Sequence, residues 1–489
     1  MNPVPFDETN RGDPFVGDFP EWRDQEQRSE LQARVQPQIT ELAQRRHAPS
    51  DRQRLLGLLQ QRREPRLGGQ ELQQPGQRAD GRGAATAFDF LPVDVGFDTL
   101  LAQSELLITG QSYDGRHAPL GGRSQDMYAK GYLDSLGIVA HEMERHELRG
   151  RVLRLTRPDA DLEPQELADV ARSLRNQGFE ASLNHMMPTG YVGKAIGGPL
   201  PAPSPGPYQP DGGPGQPTRV AIIDTGIAAE IRTDGWLSRV PRANNADNVD
   251  PLDRFPLPAG DGYLDFDAGH GTFVAGVVQQ VAPGAEITVY RALDSDGLAS
   301  EVTVACEMIR AVKEGGAQIV NLSLGGHTLD NVPPVALQAA LETITEWEHE
   351  TGQEVLIVAA AGNYADTTPC WPAAFRRVVS VASLTPDMLP SPWSSHGFWV
   401  TCSTIGQGLS STFVEGRESN LVNPEPHDFG PDAWAVWSGT SFTAPQITGA
   451  LALLHERYGY PLRETLGRLL AAGRATPYFG QALRILPAI

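Results

Sequence analysis

Three cysteines in 489 residues, Cys306, Cys370 and Cys402, are too few for a disulfide framework and cannot all pair. None sits in a Cys-x-x-Cys, which excludes a zinc ribbon. Long apolar runs are also missing. Stretches such as Val355–Ala361 fall well short of the roughly 18–20 residues that span a bilayer, so no membrane segment is expected. Positive charge is scarce: Lys plus Arg number 40 against 60 Asp plus Glu, a formal net charge of −20. A chain of that sign repels phosphate backbones, which argues against nucleic acid as a partner. The N-terminus, MNPVPFDETNRGDPF, has no basic n-region and no apolar h-region. No secretory signal is read there, and the expected compartment is the cytoplasm, with non-standard secretion left open.

What is present divides the chain into four parts. Residues 1–87 are polar, and from Glu21 to Gly83 Gln, Arg and Glu dominate. Short amphipathic helices fit Leu31–Leu42 and Arg52–Arg63. Pro37 is expected to kink or break the first; Pro65 and Pro75 limit the second. The apolar content is too low for a separate core, so this arm reads either as disordered or as helices that dock on a protein partner. Residues 88–190 read as a small α/β domain. GRVLRLTRP (150–158) is a strand and PQELADVARSLRNQG (164–178) a helix, with Leu167, Val170, Ala171 and Leu174 on one face and Gly178 as its stop. FEASLNHMM (179–187) is a second strand, giving one β-α-β unit too small to bury itself. Residues 191–217, dense in Gly and Pro, form a linker.

From Thr218 onward continuous apolar runs alternate with helical patterns. The runs are RVAIID (219–224), EITVYRAL (286–293), QIVNLSL (318–324), EVLIVAAAG (354–362) and RVVSVASL (377–384). The helices lie at 270–282, 302–316 and 333–352. Strands without polar alternation, separated by helices, indicate a doubly wound, mostly parallel sheet covered on both faces. Functional groups in such sheets gather beyond the carboxyl ends of the strands. There AIIDTGI places Asp224 at a strand end, DAGHGTFVAG places His270 at a helix start, and WSGTSFTAP places Ser441 at the start of another helix. A serine hydroxyl needs an adjacent base to act as a nucleophile. Histidine can take and return the proton, and a buried carboxylate fixes the imidazole tautomer. EVLIVAAAGN ends in Asn363, whose amide can face the same oxyanion as the N–H groups of a helix start.

At these residues the sequence resembles the subtilisin-like serine proteases, the subtilases of peptidase family S8. DTGI, GHGTFVAG, NLSLGG, AAAGN and GTSFTAP occur in family order from Thr218 to the C-terminus. The chain order Asp, His, Ser is the one known for subtilisin, and it is part of the resemblance. The resemblance implies a subtilisin-like α/β domain at 218–489, with the α+β domain at 88–190 and the polar arm before it. It implies Asp224 as orienting carboxylate, His270 as general base, Ser441 as nucleophile, and Asn363 with the Ser441 N–H as oxyanion hole. It implies that Ser323, Leu324 and Gly325 pair with an extended substrate backbone, and that Ala360, Ala361 and Gly362 wall the primary specificity pocket. Phe442 stands where the family often has Met.

The implied activity is hydrolysis of protein or peptide substrates through an acyl-enzyme. The alternative from another class is a non-catalytic peptide-binding protein on the same fold. No cofactor is required by this chemistry. Many subtilases bind calcium, and the stretch between Ile227 and Ala268 carries Asp234, Asp247, Asp250, Asp253, Asp261, Asp265 and Asp267. It reads first as a solvated loop; a calcium site is left open without a location, and no metal ligand is assigned. HEMERH (141–146) puts its two histidines five residues apart, off one helical face, and is rejected as a metal motif. His327, His396 and His427 read as surface or rim residues. Subtilases commonly carry a small α/β propeptide that assists folding and occupies the active cleft, so residues 88–190 are expected to pack on the protease domain, with the chain after Met187 running through or past the cleft and cut within 191–217; the rival reading is a permanent regulatory or targeting domain that recruits a protein partner.

Overall fold

A computed structural model describes residues 33, 35–40, 43, 92–94, 99–115, 128–158, 163–189, 198–208, 216–242, 248–253, 261–420, 423 and 425–486. In the arm, residues 35–40 are helical with Pro37 among them, so the proline does not end the helix as the sequence suggests. The second expected arm helix, Arg52–Arg63, lies outside the described residues.

The small domain runs β1 (Pro92–Asp94), β2 (Leu100–Thr109), α1 (Gly110–Asp114), α2 (Ala129–Ser135), β3 (Val139–Glu142), β4 (Val152–Thr156), α3 (Pro164–Asn176) and β5 (Ala181–Pro188). In α3 Leu167, Val170, Ala171 and Leu174 are buried, as the 3.6-residue spacing predicts, and Gly178 follows at φ 85. The two predicted strands are present, but they are not neighbours. The sheet order is β3-β4-β2-β5, antiparallel throughout, with β2 between β4 and β5. Helix α3 covers one face through Leu106, Ile108, Leu153 and Leu183. The other face contributes Leu107, Val152 and Met187 to an apolar cluster shared with the larger domain.

The chain continues through β6 (Leu200–Ala202) into β7 (Arg219–Asp224), α4 (His270–Val281), β8 (Glu286–Arg291), β9 (Leu298–Ser300), α5 (Glu301–Lys313), β10 (Ile319–Leu322), α6 (Val335–Thr351), β11 (Leu356–Ala360), β12 (Val378–Leu384) and β13 (Cys402–Ile405). Then follow β14 (Leu409–Thr412), β15 (Gly416–Arg417), β16 (Asp428–Phe429), β17 (Trp434–Trp437), α7 (Ala444–Tyr458), α8 (Leu462–Ala471), β18 (Arg474–Thr476) and β19 (Gly480–Ala482). The large sheet has the order β18-β19-β13-β12-β11-β10-β7-β8 and is parallel except for β18. Ile223 pairs with Leu322, and Leu322 with Ala359, so the carboxyl ends of β7, β10 and β11 share one edge. The central strands are buried along their whole length, which is why their sequences do not alternate.

Two pairings tie the halves of the chain together. Strand β5 adds to β9 of the large domain, with Met187 opposite Ala299. Strand β6 adds to β17, with Leu200 opposite Val436. All eight residues of β5 are buried, whereas all three of β6 are half-buried.

Candidate active site

Asp224 is the last residue of β7 and is fully buried. Its Oδ1 accepts from the Thr225 N–H at 2.7 Å and lies 2.7 Å from His270 Nδ1. That bond places the imidazole proton on Nδ1 and leaves Nε2 as the basic nitrogen. His270 is the first residue of α4, and two glycines let the helix begin there. Gly269 caps it at φ 88, with no room for a Cβ against Val414. At Gly271 a Cβ would meet the Gly226 carbonyl oxygen, so only glycine lets the helix start close on the Asp224 loop. Trp437 and Phe442 enclose the ring, with centroids 5.5 and 5.4 Å away. Burial opposes protonation of this imidazole, but Asp224 outweighs it, helped by Asp267 and Asp250, and the net pKa is raised above the ordinary histidine value.

Ser441 lies in a 3-10 turn, Thr440–Phe442, which leads into α7. Serine, histidine and Asn363 line one cleft together with Thr189, Asp267, Ser438 and Gly439. The space left in it is about 10 Å³, room for no more than a single water. Asn363 Oδ1 accepts from both the Thr440 N–H (3.0 Å) and the Thr440 hydroxyl (2.8 Å). With its oxygen tied down in this way, the amide NH2 is the group turned to the cleft. Ser323, just past β10, donates from its hydroxyl to the Ser441 carbonyl at 2.7 Å and braces the nucleophile turn from below.

The cleft is filled by the chain itself. The Ser441 hydroxyl donates to the Thr189 carbonyl at 3.0 Å. Thr189 in turn donates from its backbone to Gly297 O (3.0 Å) and from its hydroxyl to Asp267 (3.0 Å). Gly325 N–H donates to the Pro188 carbonyl at 2.8 Å. Of Ser323, Leu324 and Gly325, it is Gly325 whose N–H holds the end of β5. Leu324 itself points into the apolar cluster under α5 and α6.

Ala360 and Ala361 are buried in the sheet edge, and Gly362 donates its N–H to the Thr440 hydroxyl at 3.1 Å. The Cys370 thiol sits between the two expected pocket walls. It would lie 3.1 Å from a Cβ at Gly325 and 2.9 Å from one at Gly362. All three cysteines are free and buried, and burial pushes the Cys370 thiol well up, so it is un-ionised filler rather than a nucleophile.

The acidic stretch departs from its reading as a solvated loop. Asp250, Asp265 and Asp267 are buried. Asp265 accepts from the Ser295 hydroxyl at 2.6 Å, and Asp250 from the Gly269 N–H at 3.1 Å. Burial lifts Asp250 to about 6, against the pull of the Gly269 N–H and Arg291. Asp234 pairs with Arg232 at 2.7 Å, and Asp247 lies outside the described residues. Among the described residues no group of three or more His, Cys, Asp or Glu could hold a metal ion. His327 is also buried, its ring tilted against Tyr364 with centroids 4.0 Å apart, not a rim residue. HEMERH starts in β3 and continues in a turn, so its histidines share no helix at all.

A parallel sheet with an Asp–His pair and a serine turn at one edge defines the class: the chain belongs to the subtilase family, peptidase S8, whose sequence profile matches residues 215–472. Thermitase of Thermoactinomyces vulgaris is similar, 27% identical over 256 residues, covering 49% of this chain and 75% of that protein. So is the thermostable alkaline protease of Halalkalibacterium halodurans, 27% identical over 255 residues. That match covers 50% of this chain and 58% of the alkaline protease. Subtilisin BL of Lederbergia lenta is 24% identical over 254 residues, covering 50% of this chain and 78% of that protein. Among solved structures, fervidolysin from Fervidobacterium pennivorans shares the fold with a TM-score of 0.51 at 17% identity, over 80% of this chain and 61% of that one.

Proposed function

We propose that the protein is a serine endopeptidase kept closed by its own N-terminal half. Ser441 Oγ attacks a peptide carbonyl while His270 Nε2 takes its proton, and Asp224 holds the opposite ring N–H and stabilises the imidazolium. The oxyanion receives hydrogen bonds from the Asn363 NH2 and the Ser441 N–H. His270 then gives its proton to the leaving amine. Water, activated by the same nitrogen, releases the acyl group. The observation that carries this reading is the buried 2.7 Å Asp224–His270 bond, at the foot of the cleft that Ser441 shares.

Substrates of this enzyme bind as a strand between β9 and Gly325, as β5 does within the molecule. The Cys370 sulfur takes up depth between the pocket walls, so residues with short side chains fit best on the acyl side of the cut bond. The small domain acts as an inhibitor whose last strand fills the substrate groove, and cleavage within 191–217 separates it. Calcium has no assigned site in this reading.

Mass spectrometry of the purified protein's termini, with peptide-library cleavage, tests the proposal in wild type beside Ser441→Ala. Expected are cuts within 191–217 and hydrolysis of library peptides by wild type alone. Full-length chains from both, with an active wild type, overturn self-processing. Library peptides that bind but survive intact, even after the small domain has been displaced, would establish the non-catalytic scaffold.

A further inference from the structure

One polar side chain of the arm has no place in a solvated segment. Gln38 is completely buried. Its Nε2 donates to two carbonyls, Gly198 O at 2.6 Å and Val436 O at 3.2 Å. Its Oε1 accepts from the Ser438 hydroxyl at 3.0 Å. Ser438 also takes the Gly408 N–H at 2.9 Å and lies three residues before Ser441. A single amide therefore joins three distant parts of the chain: the arm, the start of the segment that enters β6, and the turn that carries the nucleophile. Val35 (5% exposed) flanks it in a cluster with Val436, Ala202 and Ile39, and Ile39 also touches Trp393.

The chemistry of the slot selects a primary amide. Two carbonyl oxygens and one hydroxyl converge, and only a carboxamide offers two protons on one nitrogen beside an acceptor. A carboxylate would oppose both carbonyls. An alkyl chain would leave them buried without their donor, which costs more than the bond itself contributes. The position of the slot is equally telling. Thr189 takes the Ser441 hydroxyl inside the cleft, and Gln38 takes the hydroxyl of Ser438, which lines the same cleft.

We infer that residues 35–40 are a latch on the downstream half of the cleft, with Gln38 as its key, and that they must leave before Ser441 becomes accessible. This rests on the endopeptidase reading but concerns a different segment from the strand that fills the upstream groove. The occupant of the slot is this chain's own glutamine-bearing segment. Among the described residues its apolar hold is two aliphatic side chains, Val35 and Ile39.

The test uses the full chain. In a Ser441→Ala background, Gln38→Ala speeds backbone hydrogen exchange at 198–202 and 434–438 at least about fivefold, since the buried carbonyls lose their donor. With Ser441 intact, Gln38→Ala and Gln38→Glu raise the rate of Ser441 labelling by a fluorophosphonate by a similar factor. A synthetic peptide of residues 29–46 slows that labelling again in the Gln38→Ala protein, and the same peptide with Ala at position 38 does not. Faster exchange with unchanged labelling makes Gln38 a structural brace and overturns the latch. Unchanged exchange in a protein of unchanged Tm overturns the contact itself. If no variant is labelled under any condition, the endopeptidase reading fails, and exchange alone then decides whether the arm closes this face.

Discussion

The two sides of the cleft are held by different means. Upstream, β5 lies between β2 and β9, buries all eight residues, and places Met187 in a cluster shared by both domains. Downstream, three half-buried residues of β6 pair with β17, and the arm is keyed by one glutamine. Burying a large aliphatic side chain stabilises by about 1.5–3 kcal/mol, so among the described residues the upstream side holds with many such contributions and the downstream side with few. Closure is strong where a substrate's acyl half would bind and weak where its leaving half would depart. If the arm is the latch proposed above, opening starts downstream.

The largest effect is expected at the junction of the two sides. Asn363→Ala should lower kcat by about 10²–10³, the magnitude known for the corresponding oxyanion donor of subtilisin. Exchange rates at β5 and β6 should not change, because among the described residues the Asn363 side chain bonds within the nucleophile turn. The next effect sets the sides against each other. Met187→Asp puts a carboxylate at a fully buried position, a cost of several kcal/mol. It should raise Ser441 labelling by at least about 10-fold more than Gln38→Ala does. Equal effects would erase the distinction between the sides.

A smaller effect depends on pH and belongs to the upstream side alone. Glu301, the first residue of α5, is fully buried and accepts from the Ser182 hydroxyl at 3.3 Å. Burial raises its pKa well above the usual carboxylate value, against the bonds from Ser182 and the His185 backbone. The docked state thus holds a proton that the undocked state gives up. Through this group docking is firmest below the ordinary value of 4.5 and weakens as pH rises above it. His185, pushed down to about 3 by burial and Arg175, stays neutral while docked but takes up a proton below its ordinary 6.5 once undocked, so below that pH it opposes the Glu301 slope and above it adds none. Above about pH 6.5, where His185 is neutral in both states, protection of residues 182–188 from exchange, corrected for intrinsic rate, should fall with pH in the Ser441→Ala protein. Glu301→Gln should flatten the fall, while β6 shows none of it.

Two finer measurements concern the chemistry between the sides. His270 must be neutral to act as base, so activity is lost as pH falls through its raised pKa, placing the acid limb above about 6.5. Asp250→Asn removes one of the charges that raise it, and the limb should move to lower pH. Cys370→Gly should shift peptide-library preference toward larger residues on the acyl side of the cut, with the rate on small ones little altered.

Legibility in the sequence follows the range of the interactions. Strands β7, β10, β11 and β12 can be read because their unbroken apolar runs reflect burial on both faces, and their ends then locate Asp224 and Asn363. Helix α3 can be read from one buried stripe. Strand β2, at the centre of the small sheet, escapes that reading, and with it the fact that β4 and β5 are not neighbours. The buried aspartates look like a solvated loop in sequence because their partners, Ser295 and Gly269 among them, come from other segments. Gln38 is one glutamine in a segment rich in them, and no local pattern marks it; only the approach of Gly198, Val436 and Ser438 gives it a role.

The most direct test of the proposed catalytic centre is fluorophosphonate labelling followed by peptide mapping, with Met187→Asp to open the cleft. The account predicts one adduct, on Ser441, lost in Met187→Asp/His270→Ala and strongly slowed in Met187→Asp/Asp224→Ala. Labelling that persists without His270, or an opened cleft in which Ser441 never reacts, would contradict it.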